Sequence, residues 1–213
     1  VNDVAALFIR TDSIYKHLPG VDCYDIDRDA RTFPGGMPVV AHPPCRAWGK
    51  LWYFARPRPD EKNQGRLAVA LVREFGGVLE HPKDSKLWDA QAIPRPGQAP
   101  DTWGGWTLPI AQYWFGHRAE KKTWLYIVGC APADIPALPL RLGAATHVIA
   151  QSRPRRQDGT RLRKNSGNPA ITGWRPEVTR AEREHTPADL ARWLVEVARR
   201  CRTHDTSLME QAA

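Results

Sequence analysis

The stretch that decides the fold runs from VVAHPPCRAWG (39–49) to DEKNQGRLAVALVREFGGVLEH (60–81). Val39 to His42 is a short apolar run stopped by Pro43 and Pro44, which cannot continue a strand ladder. From Asp60 to Phe75 the apolar positions Leu67, Val69, Ala70, Leu71 and Phe75 give a helix one buried face. Asp60 and Glu61 stand where the helix dipole favours acids, and Gly76-Gly77 supplies the stop. Val78 to His81 is a second strand. Strand, helix and strand with short links form the β-α-β unit of a parallel sheet.

Working outward, Val4 to Ile9 and Val21 to Asp25 read as further strands, the second entered through the turn Leu18-Pro19-Gly20. Residues 82–116 read as irregular text holding Trp88, Trp103, Trp106 and Trp114. Thr123 to Gly129 and Thr146 to Ala150 read as strands, and 152–168 as a basic loop without apolar periodicity. Glu182 to Cys201 reads as a helix. Thr186 and Pro187 are its N-cap and first residue, and Leu190, Trp193, Leu194, Val197 and Ala198 form one face. The expectation is an α/β fold with a doubly wound, mostly parallel sheet, in a single domain over 1–202 with a flexible tail at 203–213.

The chain has 213 residues, 42% hydrophobic and 25% charged, ordinary for a globular protein. No apolar run approaches the roughly 20 residues that span a bilayer, and no basic region precedes the first apolar stretch, as a signal peptide requires. The 4 cysteines, at 23, 45, 130 and 201, form no C-x-x-C pair. That spacing is neither a disulfide framework nor a zinc knuckle, and it suggests a reducing, cytoplasmic setting. A formal charge of +8 suits a polyanionic partner, nucleic acid first.

In open α/β sheets ligands bind beyond the carboxyl ends of the strands. Cys45 follows one such end and Glu80 lies at the next. Cys45 is either a buried structural thiol or a nucleophile on a stiff turn. As a nucleophile it can add to carbon 6 of a pyrimidine, while a carboxyl group at N3 holds or shares the proton. Cations nearby would favour the thiolate.

With these residues in order, the sequence resembles a reduced member of the cytosine-C5 DNA methyltransferase family, most like small phage or prophage proteins. Pro44-Cys45 is similar to the family's nucleophile motif, and Glu80-His81-Pro82 to its Glu-Asn-Val motif. FGHRAEKKTWLYIVG (115–129) resembles its Gln-x-Arg-x-Arg segment, with Arg118, Lys121 and Lys122 as cations, and Thr186-Pro187 to Ala198 its closing helix. The resemblance covers about 40–200. It implies a Rossmann-like methyltransferase fold, S-adenosylmethionine as cofactor, base flipping, and methyl transfer to C5 of cytosine in DNA, in the host cytoplasm if phage-encoded. In catalysis it implies Cys45 as nucleophile, Glu80 at N3, and Arg118 and Lys122 supporting charge. Pro44, Asp25 and Asp27 become cofactor candidates. Trp48 and Trp52 become candidates to stack on a base. Arg153, Arg155, Arg156, Arg161, Arg163 and Lys164 become phosphate contacts.

Two departures stand out. The first strand runs ALFIRTDS with no glycine, where the family has a glycine loop around its cofactor. The family's large target-recognition domain is missing. A DNA-binding protein that has kept the fold, or a pyrimidine modification without S-adenosylmethionine, are the alternatives. A metal site of His42, His81, Cys45 and Glu80 is a further one. A zinc deaminase fits less well, since Trp48 stands where its second cysteine is needed.

Overall fold

The computed structural model describes residues 1–49, 52–150 and 175–201. The basic loop at 152–168, with its arginines and Lys164, and the tail at 203–213 lie outside the described residues. Six strands form one mixed sheet in the order β2-β1-β3-β4-β6-β5. They are β1 (Val4–Leu7), β2 (Val21–Tyr24), β3 (Val39–Ala41), β4 (Gly77–Pro82), β5 (Trp106–Ala111) and β6 (Lys122–Val128). β1 pairs in parallel with β2 and β3, and β3 with β4. β6 runs antiparallel to both β4 and β5. The α/β class stands, but the sheet is mixed where the sequence predicts a doubly wound, mostly parallel one, because β6 runs against both its neighbours, one place from the edge.

Side-chain alternation sends each strand's residues to two cores. Val4, Ala6, Val40, Val78, Leu125 and Ile127 pack with α4 (Ala188–Arg200). Ala5, Leu7, Val39, Ala41, Leu79, Tyr126 and Val128 pack on the other face with α1 (Glu61–Phe75). A sheet covered on both faces explains why β1 and β3 read as unbroken apolar runs rather than alternating ones. Gly77 opens β4 where a Cβ would stand 2.0 Å from the Val39 carbonyl oxygen, so only glycine admits the β3–β4 approach.

Three further expectations from sequence change. Residues 82–116 are not all irregular: they hold the short helix α2 (Leu87–Ala90) and the whole of β5. β5 contains Pro109, which is tolerated because β5 is an edge strand. Thr146 to Ala150 is no strand; its ladder contacts are isolated bridges, His147 to Ala119 and Val148 to Glu177. The run bridges to single residues and joins no strand of the sheet. The closing helix is two pieces, α3 (Arg180–Glu184) and α4, and Pro187 is the N-cap of α4 rather than its first residue. No helix among the described residues is long and apolar enough to cross a membrane.

Candidate active site

The strand order reverses at β1, whose two neighbours are β2 and β3. The carboxyl ends of β1 and β3 therefore flank the switch point where open sheets bind ligands. Parallel pairing of β3 with β4 sets Ala41 beside Leu79, so His42 and Glu80, one residue on, emerge together at that rim.

His42 Nδ1 lies 3.0 Å from Glu80 Oε2, and His42 Nε2 lies 2.8 Å from the Tyr15 hydroxyl. The carboxylate can only accept, so Nδ1 carries a proton; in the neutral ring Nε2 then accepts from Tyr15. The other carboxylate oxygen, Oε1, accepts from Gln112 Nε2 at 3.0 Å, and that amide also donates to Thr123 Oγ1 at 3.2 Å. Tyr15 comes from a 3-10 turn after β1 (Ile14–His17), and Gln112 from another after β5 (Gln112–Phe115). Both are fully buried. Gln112 Oε1 has no hydrogen-bond partner among the described residues. Burial pushes the Glu80 carboxyl up. The His42 hydrogen bond and the charges of His42, Lys121 and His81 outweigh it, and hold Glu80 well below the usual carboxylate range.

Cys45 follows three residues after His42 and is exposed. Its carbonyl accepts from Trp48 N at 3.1 Å and Gly49 N at 2.9 Å, so a tight turn starts at the cysteine. The turn is clasped from two sides. Lys86 N donates to the Trp48 carbonyl at 2.8 Å, and Arg46 pairs with Glu61 at the start of α1. Although the residue meets solvent, desolvation of the sulfur is the largest influence on it, and with the Glu80 charge it pushes the thiol up. Lys121, a backbone hydrogen bond and Arg46 act the other way.

The site residues expected from sequence take different places. Cys45 and Glu80 share the rim, close enough for the Glu80 charge to bear on the thiol. Pro44 sits within the turn between His42 and Cys45. Arg118 is taken up by Glu182 of α3, with both carboxylate oxygens 3.0 Å from its Nε, and by His147. Lys122 is exposed and pairs with Glu120 at 3.3 Å. Lys121 is the cation whose charge reaches both Cys45 and Glu80. Its backbone lies in the left-handed region at φ 37°, a conformation that costs energy outside glycine. Asp25 is buried and held by Lys16 Nζ at 2.5 Å and the backbone N–H groups of Asp27 and Arg28. Asp27 is exposed. Trp48 is buried, and its indole nitrogen fits against α1 only because residue 65 is glycine; a Cβ there would lie 2.4 Å away. Stacking on a base needs an open ring face, which Trp48 does not have.

No local pattern in the sequence assigns Tyr15 or Gln112 to the Glu80 network, and His42 and Lys121, named there only as a metal-ligand candidate and as one of three cations, take their places in it only in the structure. Tyr15 and Gln112 come from short 3-10 turns whose destination depends on the whole sheet. Lys121 stands beside Lys122 in a pair of equal charges, and only strand register tells the two apart. His81 points to the other face, where its ring lies 6.1 Å from that of Trp88. Burial first, and the His42 charge, push it down to about 4, against the pull of Glu80, so it is neutral at pH 7. Among the described residues no group of three His, Cys, Asp or Glu side chains is placed to hold a metal ion.

Comparison of the chain with protein-family models, with characterised proteins and with solved structures returned no match.

Proposed function

We propose that this chain modifies a pyrimidine base in DNA, starting with addition of the Cys45 thiol to carbon 6. The observation that carries the reading is the exposed thiol on a clasped turn beside the Glu80 network, at the ligand-binding end of an α/β sheet. In the step, the thiol loses its proton to solvent and the S–C6 bond forms. The electron pair of the C5=C6 bond moves to C5, and the ring takes a proton from solvent at N3. The thiolate is disfavoured at rest, so loss of the thiol proton is part of the barrier. In this reading Glu80 gives up one of its present partners to hold the N3–H, and Lys121 steadies the charge. C5 can then take an electrophile, a methyl group where a donor is supplied, and lose its proton before the thiol leaves.

The residues at the switch point do not fit S-adenosylmethionine. The turn after β1 has no glycine for close backbone approach. Tyr15 fills the space between that turn and His42. Asp25, the acid expected at the ribose, already has a lysine and two backbone N–H partners. This favours a pyrimidine modification that takes its second reactant in another way. A DNA-binding protein without chemistry is favoured by one observation: both Glu80 oxygens already have partners.

The test is a DNA oligonucleotide carrying 5-fluorocytosine, with and without S-adenosylmethionine, read by intact-protein mass. A covalent complex that forms without the methyl donor and is lost in Cys45→Ser supports thiol addition. A complex strictly dependent on the donor restores methyl transfer. DNA binding with no complex under any condition favours the binding protein.

A further inference from the structure

Three consecutive aromatic residues, Trp52, Tyr53 and Phe54, lie in solvent seven to nine positions after Cys45, in a single 3-10 turn. Their exposures are 36%, 59% and 75%. Large rings are normally the first groups a core takes up, and a contiguous set left outside marks a binding surface. The rings are arranged rather than scattered. Trp52 meets Tyr53 edge-on with centroids 6.1 Å apart, and Tyr53 meets Phe54 at 4.4 Å. Two cations frame them: Lys62 Nζ lies 4.9 Å from the Trp52 ring centre and Lys86 Nζ 5.8 Å. Neither lysine pairs with a carboxylate among the described residues. The nearby acids Glu61 and Asp60 are engaged by Arg46 and Arg31.

We infer that Trp52, Tyr53 and Phe54, with Lys62 and Lys86, form a platform that binds single-stranded DNA, stacking unpaired bases on the rings while the lysines meet phosphates. Stacking on rings needs bases already out of the duplex, and the combination of aromatic faces with available cations is the chemistry of single-strand binders. The platform is tied to the thiol's own turn, for Trp52 N donates to the Gly49 carbonyl at 3.0 Å and Gly49 N to that of Cys45. The choice of DNA as the polymer rests on the proposed base modification. A strand held here would bring its next base to Cys45 without the cost of flipping.

The experiment measures affinity for a fluorescent oligodeoxycytidine, its duplex and the matching RNA, on the full chain. The native protein binds the single strand more tightly than the duplex or the RNA. Trp52→Ala with Phe54→Ala weakens the single strand by about tenfold or more, while Trp52→Phe, which keeps a ring, retains most of the affinity. Lys62→Gln with Lys86→Gln lowers the steepness of salt dependence, since each phosphate left without its lysine takes about 0.7 off the slope. Equal affinity of native and ring-deleted protein overturns the platform, as does tighter binding of duplex or RNA. Loss of binding to anionic vesicles instead of DNA also overturns it and assigns the rings to a membrane surface. The readouts separate from those of the thiol. Loss of strand binding in the ring variants, with no adduct ever formed by Cys45, leaves the platform standing and removes the chemistry. An adduct that forms equally well in the ring variants does the reverse.

Discussion

Beyond β1 and β2 the rim is filled by side chains that bind one another, whereas beyond β3 it leaves a thiol and three rings in solvent. On the first side Tyr15 closes on His42, and Lys16 closes on Asp25. On the second, the turn is held from below by Lys86 and Arg46 so that Cys45 stays out. Glu80 is the boundary, fixed to the filled side by His42 and acting on the open side by its charge. The contrast teaches that the switch point of an open sheet marks where a ligand site can be, and that this chain fills that place with packing. Its exposed thiol stands on the β3 side of that point.

The filled side should carry stability and the open side should not. His42→Ala leaves a nearly buried carboxylate without its main partner, and should cost about 3–5 kcal/mol in denaturant unfolding; a cost below about 1 kcal/mol would mean that the network is not what holds the rim. The next effect is on pH dependence. His81 is neutral when folded, with its pKa near 4, while the unfolded ring titrates near 6.5. The stability this contributes is present above pH 6.5 and lost as pH falls towards 4, amounting to about 2 kcal/mol by pH 5. Glu80, held low, adds a loss only below about pH 4.3, its unfolded value, as pH drops through its folded one. Melting curves at pH 7 and pH 5 should show the difference in the native chain and not in His81→Leu.

Smaller effects sharpen the comparison. Tyr15→Phe keeps the ring and removes one hydrogen bond, for about 1 kcal/mol, whereas Phe54→Ala on the open side should stay within about 0.5 kcal/mol. Calorimetry with S-adenosylmethionine should give no saturable heat with the native chain; a stoichiometric isotherm would show that the filled side opens. The smallest effect is on thiol reactivity. Glu80 raises the Cys45 pKa and Lys121 lowers it. Glu80→Gln should therefore speed alkylation of Cys45 by iodoacetamide at pH 7 a few-fold, and Lys121→Gln should slow it.

The parts of this layout legible in sequence are those set by local pattern. The strand cores at Val4, Val39, Val78 and Thr123 are short apolar runs, Val21 follows a Pro-Gly turn, and the helix from Glu61 to Phe75 carries an apolar face stopped by Gly76-Gly77. That Cys45 and Glu80 come to the same rim follows from strand ends alone. What is not legible depends on tertiary partners. Trp106–Ala111 carries a proline and becomes a strand only because β6 offers an edge. The direction of β6 is set by which neighbour it meets, and no local residue records it. Trp48 and Trp52 look alike in sequence, and a glycine on another element decides which is buried.

Addition of Cys45 to a pyrimidine can be measured without any second reactant. Once the S–C6 bond forms, C5 can take a proton from water and give up its own before the thiol leaves, so hydrogen at C5 exchanges with solvent. Single-stranded DNA carrying tritium at C5 of cytosine should release it to water in the presence of this protein. Cys45→Ser should abolish the release, while Cys23→Ser, Cys130→Ser and Cys201→Ser should not. Tritium that stays in DNA demonstrably bound by the native chain, or release that survives in Cys45→Ser, would contradict the account.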